Sequence, residues 1–140
     1  NIKYDIYGEN YQKFKDQHHI CEYIGIIHMP YQTNIQSLYE NLAYNIIYFI
    51  PSKKFMIELV DNGWYYWEEK NKSEEIKINS ILLSEWYVPE NEELFIYFDN
   101  WEQLKEQICS INIAEKKALI QNYMEQNQLY NINYWRKILK

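Results

Sequence analysis

Three short apolar runs constrain this chain more than any other feature: "EYIGIIH" at 22–28, "IIYFI" at 46–50 and "LFIYF" at 94–98. Each is apolar almost without a break, and polar, helix-forming sequence separates one from the next. A strand that is apolar on both faces must be covered on both faces. That is the situation of a parallel strand in an α/β sheet. A further strand is expected at 2–8, "IKYDIYG", which alternates apolar and polar residues and ends in glycine. Strands that alternate with helices, joined by connections long enough for right-handed crossovers, make an α/β fold with a mainly parallel sheet the simplest architecture.

The intervening segments carry helix signals. Ile35, Leu38, Tyr39 and Leu42 fall at i, i+3, i+4 and i+7, so a helix is expected over 35–44, capped by Thr33 or Asn34. Pro51 and Ser52 open a helix over 53–60 that Gly63 ends. Asp99 or Asn100 caps another over 101–111. A further helix is expected over 113–127, and a last helical turn or two around Tyr134, Trp135, Ile138 and Leu139. Residues 9–20 are expected to form a loop with a short helix. Residues 64–79 are expected to form a short strand or turn and then a charged, exposed connection. Residues 81–93 run from an apolar start into an acidic loop. No repeat, low-complexity tract or linker divides the chain, so residues 1–140 are expected to form one domain.

Charge and composition exclude several function classes. The net charge is −6, and Arg136 is the only arginine. Duplex nucleic-acid binding needs a basic footprint that this chain lacks, and an anionic membrane surface is disfavoured for the same reason. No run is long enough for a membrane span. Cys21 and Cys109 lie far apart in apolar surroundings, so they are expected to be buried or half-buried free thiols of a cytoplasmic, reducing compartment. His18 and His19 have no partners at metal-ligand spacing, so no metal is expected. No GxSxG, P-loop or GxGxxG motif occurs, and no cofactor is called for. The chain begins with Asn, and the expectation is a fragment of a longer protein.

Two loops point to a ligand. "HMPYQTN" and "IPSKK" each follow a strand and lead into a helix N-terminus. In an open parallel sheet, ligands bind beyond the carboxyl ends of the strands, and helix N-termini suit phosphate. Ser52 adds a hydroxyl there, and Lys53 or Lys54 a charge. Glu40 lies about 150° around its helix from the apolar stripe, away from the core. It reads either as a ligand for ribose hydroxyls or as a solvated helix glutamate. His28 reads as a donor to a sugar or phosphate, or as a histidine hydrogen-bonded at the sheet rim. In "SEWYVPENEE", Glu85 and Glu90 either act on a sugar or cap and solvate a loop. Trp64, Trp67, Trp86 and Trp101 read as carbohydrate platforms or as core, with core the default.

The stretch "PYQTNIQSLYENLAYNIIYFIPSKKF" resembles the donor-binding segment of GT-B-type glycosyltransferases. Ser37, Leu38, Tyr39, Glu40 and Asn41 stand where that family has its helix glutamate, and "IIYFIPS" follows as the next strand and short loop. "SEWYVPENEELFIYFDNWEQLKEQI" is similar to the late strand and helix of the same half. The resemblance implies a Rossmann-like three-layer domain that grips a nucleotide-sugar donor. Glu40 would hold the ribose. Pro30, Tyr31, Thr33 and Asn34 would face the diphosphate or sugar, and Ser52 and Lys53 the neighbouring helix start, with His28 at the same edge. It leaves the catalytic residues unassigned. The family's acceptor-binding N-terminal half is not contained in these 140 residues, so the expectation is either a fragment of a larger enzyme or a domain that has lost catalysis. In two respects the chain departs from the family. Gln32 stands where a second glutamate is usual, eight residues before Glu40, and no Arg/Lys pair is positioned for the diphosphate. A rival expectation is a non-enzymatic acidic module for a protein partner, such as an immunity-type inhibitor of a basic toxin. A homodimer built on "LYNINYWRKILK" is compatible with either.

Overall fold

A computed structural model describes residues 2–6, 17–63 and 73–139. Three strands form one parallel sheet in the order β1 (Ile26–Ile27), β2 (Tyr48–Pro51), β3 (Phe95–Phe98). Ile27 pairs with Phe49, and Phe49 with Ile96. The middle strand is buried along its whole length, which explains its unbroken apolar sequence. Six α-helices are described: α1 (Gln17–Ile20), α2 (Ser37–Ala43), α3 (Lys53–Asp61), α4 (Glu74–Leu82), α5 (Trp101–Ser110) and α6 (Ile113–Ile138). A 3-10 helix over Pro89–Leu94 leads into β3.

The core is one cluster. Tyr48, Phe49 and Ile50 of β2 meet Leu38 and Leu42 of α2, Met56 of α3, Ile81 of α4, Trp86, Phe98 of β3 and Ile120 of α6. Aromatic rings dominate its centre: Trp86 lies 5.7 Å from Phe95 and 5.9 Å from Tyr48, ring centre to ring centre. Such offset and edge-on pairs add to the area that they bury.

The expected α/β class and parallel sheet are present, with shorter and partly different elements. Residues 2–6 adopt no strand, and 7–8 lie outside the described residues. The 22–28 strand is reduced to Ile26–Ile27, because residues 21–24 turn out of α1 instead. Gly25 is required at this point: a Cβ there would fall on the carbonyl oxygen of Ile47, which accepts the Ile26 N–H at 2.8 Å. α2 begins at Ser37. Gln36, not Thr33 or Asn34, stands at its N-cap, with no side-chain cap bond. Asn45, with φ of 57°, then makes the left-handed turn between α2 and β2 that asparagine tolerates.

α3 follows expectation closely. Ser52 caps it by accepting the Phe55 N–H at 3.2 Å, and Gly63 with φ of 97° turns the chain away after it. α4 replaces the connection expected before residue 80. Ile78, Ile81 and Leu82 are at least half-buried at i, i+3 and i+4, a stripe obscured by the charged residues around it. The part of that expectation at 64–72, with Trp64 and Trp67, lies outside the described residues. Asn100 caps α5 through Gln103 N–H at 2.8 Å. α6 is one helix of 26 residues, not two pieces, since neither proline nor glycine interrupts it and Asn112 caps its start. Both cysteines are free and exposed, contrary to the burial expected of them. Their apolar neighbours turn inward (Ile108 packs on the core) while the thiols lie on outer faces.

Candidate functional site

Because all three strands are parallel, their carboxyl ends open on one edge of the sheet. Three chain exits meet there. His28 closes the β1 pairing by donating its N–H to the Phe49 carbonyl at 2.9 Å, and the loop through Pro30–Asn34 begins. Pro51 ends β2, and the Ser52 N–H donates to the Phe98 carbonyl at 2.8 Å as α3 starts. β3 ends at Phe98, and Asn100 starts α5. The N-termini of α3 and α5 are therefore neighbours on the edge that the first loop borders. Their leading N–H groups lack intrahelical partners. The reversal of strand order that opens a crevice in doubly wound sheets is not found among the described residues.

The expected site residues divide by position. Pro30 is buried, Thr33 half-buried, and Tyr31 and Asn34 exposed along the first loop. Ser52 and Lys53 stand at the start of α3, with Lys53 exposed. Glu40 is the fourth residue of α2 and exposed, while Leu38, Asn41 and Leu42 take the inward face. Tyr39, expected in that stripe, is 37% exposed. Glu90 is exposed, and Trp101 is 51% exposed but packs edge-on against Phe55 at 5.4 Å.

One segment holds the two loops together, and its importance is not evident from the sequence. Within 84–87, the Glu85 N–H donates to the Thr33 carbonyl at 3.0 Å, and Trp86 Nε1 to the Gln32 carbonyl at 3.1 Å. The Tyr87 hydroxyl donates to the Pro51 carbonyl at 2.9 Å. Tyr97 of β3 donates to the Trp86 carbonyl at 2.7 Å. The first loop is thus pinned from one side, and the exit of β2 from the next residue along. Tyr and Trp combine a large apolar body with one polar tip, and here each tip ends on a loop carbonyl. The clustering of "EWY" before a proline was the only available signal.

His28 sits beneath this clamp. Its ring stacks on Trp86 at 4.4 Å and lies 5.7 Å from Tyr31 and 5.9 Å from Tyr48. Its Nε2 is buried without a hydrogen-bond partner. Burial pushes its pKa down to about 4, so it is neutral at physiological pH. Nearby, Asn41 Nδ2 donates to the Tyr48 hydroxyl at 2.6 Å. Burial, partly opposed by that bond, drives the Tyr48 pKa up to about 12. Lys53 and Lys54 at the start of α3 are exposed, whereas His28 Nε2 and the Tyr48 ring lie buried beneath the edge.

Other surface features lie away from this edge. A groove of about 980 Å³ runs between α2 and α6, with Ala43, Met124, Ile132 and Trp135 among its walls. Among the described residues, no group of three or more His, Cys, Asp or Glu could hold a metal ion. None of the described helices is long and apolar enough to cross a membrane. Comparison with known proteins finds no family model, no curated protein and no solved structure that matches the chain.

Proposed function

We propose that the chain is a Rossmann-like domain that binds the nucleotide-sugar donor of a GT-B-type glycosyltransferase. One observation carries the reading: the loop at 30–34 and the Ser52-capped start of α3 open on the same carboxyl edge and are held there by one clamp. The N–H groups at the start of α3, with Ser52 and Lys53, bind the diphosphate. Glu40 accepts hydrogen bonds from ribose hydroxyls. Pro30, Tyr31, Thr33 and Asn34 border the sugar, and His28 supports them from below. The domain orients the donor and stabilises the departing diphosphate with fixed dipoles rather than a metal. The sugar passes to an acceptor bound by a separate unit, so this chain alone binds without turnover. Calorimetric titration with UDP, GDP, ADP and TDP tests it. One of the four should bind to the wild type, and Glu40→Ala should weaken it about tenfold with the melting temperature unchanged. Unchanged affinity in Glu40→Ala would remove that residue from the site.

The outer half of α6 favours a second reading, a non-catalytic module that contacts another protein, such as an immunity-type inhibitor. Leu129, Tyr130, Trp135 and Leu139 are between 57% and 80% exposed there. Indifference to every nucleotide, with stable complex formation with a basic protein, would favour it.

A further inference from the structure

The first half of α6 packs on the domain through Leu119, Ile120, Tyr123 and Met124. Past Glu125 the helix still carries apolar residues, but the domain leaves them uncovered. Leu129, Ile132 and the C-cap Leu139 are between 39% and 80% exposed. Their placement is ordered. Glu125, Leu129, Ile132, Arg136 and Leu139 follow one another at spacings of four, three, four and three residues. That is the 3.5-residue repeat of a helix seam that packs on a second helix. Over so short a span it keeps the five residues on one side of the helix, along about 21 Å of axis. Ile132, Arg136 and Leu139 are also walls of the groove between α2 and α6, together with Tyr39 and Ala43 of α2. Tyr130 and Tyr134 turn to the other side of the helix, where their rings stack at 6.4 Å.

The two ends of the seam carry opposite charge. Glu125 and Arg136 are both exposed. The Glu125 carboxylate accepts Gln121 Nε2 at 2.9 Å, and Arg136 has no ion-pair partner among the described residues. From Gln126 to Leu139 there is no acidic residue, and Arg136 and Lys137 are the only charges, although the whole chain carries −6. Such a seam complements its own reverse. Two copies placed antiparallel about a two-fold axis near residues 130–131 set Glu125 of each against Arg136 of the other. The same axis sets Leu129 of each against Ile132 of the other. A parallel pairing would put like charges together.

We propose that this face of α6 is the interface of a two-fold homodimer, in which the α6 helices pair antiparallel and the second copy's helix lies along the groove beside α2. The contact is isologous: the same patch serves on both copies. It is independent of the donor site, which lies on the carboxyl edge, and it gives the α6 surface to a second copy of this chain. Stable interfaces usually take about 800 Å² from each partner. One helix pair of this length supplies less, so the dimer forms with increasing concentration, in the micromolar range.

The test is analytical ultracentrifugation of the full chain over a concentration series up to about 1 mM. The wild type is compared with Leu129→Glu, Arg136→Glu, Glu125→Arg and the double exchange Glu125→Arg with Arg136→Glu. Melting temperatures at high dilution check that each variant folds. The wild type should pass from monomer to dimer. Leu129→Glu should stay monomeric and melt as the wild type does, since that side chain is exposed in the single chain. Each single charge change turns two attractions into two repulsions, and should weaken association at least about tenfold. The double exchange restores both attractions in an antiparallel pair, and should return the dimer to within about threefold of wild type. A wild type that is monomeric at every concentration overturns the proposal and leaves this face to a different protein. A dimer that Leu129→Glu leaves intact lies elsewhere on the chain and overturns it too. Single charge changes without effect, or a double exchange that does not restore the dimer, overturn the antiparallel register.

Discussion

At the end of β1 the imidazole of His28 lies against Trp86 with an interplanar angle of 29° and no partner for Nε2. Its folded pKa of about 4 lies below the ordinary 6.5, so between these values the unfolded chain binds the proton that the folded chain refuses. The stabilisation is fully present above the ordinary value and is lost as pH falls through that window. The loss is on the order of 3 kcal/mol at full protonation. His28→Phe keeps the stack and removes the titration. Urea denaturation of this variant between pH 7 and 4.5 should give a flatter stability profile than the wild type, and parallel profiles would mean that His28 is not the sensor. Asn41 and Tyr48 make a second residue-scale case. Tyr48→Phe removes the hydroxyl and leaves the Asn41 amide, whose Oδ1 already lacks a partner, buried and unpaired. It should cost about 1–3 kcal/mol. Tyr48→Phe with Asn41→Leu should recover most of that loss in the same denaturation assay, because both polar groups are then gone. At this scale the sequence was legible in type but not in partnership. The outward position of Glu40 follows from helix periodicity. The pairing of Asn41 with Tyr48, on successive elements, does not, because a tyrosine in an apolar strand reads simply as core.

Among the elements, β2, β3, α3 and α5 were legible because local chemistry and tertiary burial agree. Ser52 and Asn100 are strong N-caps in the sequence and act as such in the fold. Ser52→Ala should lower stability by about 1 kcal/mol and also remove a hydroxyl from the candidate site. Thermal melts with and without nucleotide separate the two effects, since only the second reduces the ligand-induced shift. β1 was overestimated. Its apolar run continues back to Tyr23, but the turn that follows α1 takes up the start of that stretch, and only Ile26 and Ile27 reach the ladder. Gly25→Ala should destabilise by more than the usual glycine substitution, since its Cβ would meet backbone rather than a movable side chain. Circular dichroism melts read this directly, and a melting temperature within a degree of wild type would contradict the close approach. α4 was missed, and α6 was expected as a helix over 113–127 with a separate last turn or two rather than as one continuous helix, for a common reason. In both, the apolar residues are interspersed with polar and charged ones, so periodicity is diluted. In α6 the inward contact depends on Leu119, Ile120, Tyr123 and Met124 in the first half, while the second half extends with its aromatic residues exposed.

For the whole molecule, the parallel sheet follows from three apolar runs, and with it the edge on which a ligand would bind. The clamp at 84–87 does not follow. It joins residues more than 30 positions apart in sequence, Trp86 to Gln32 and Tyr87 to Pro51. Such contacts exist only once the sheet has assembled. The exposed distal half of α6 and the carboxyl edge of the sheet are two distinct surfaces. The most direct test is a backbone amide chemical-shift titration with the nucleotide that calorimetry selects. If the carboxyl edge is the site, shifts concentrate at 28–40, 52–55 and 84–87, and α6 beyond residue 125 stays unchanged. Shifts confined to α6, or none at saturating nucleotide, would contradict the assignment of this edge as a donor site.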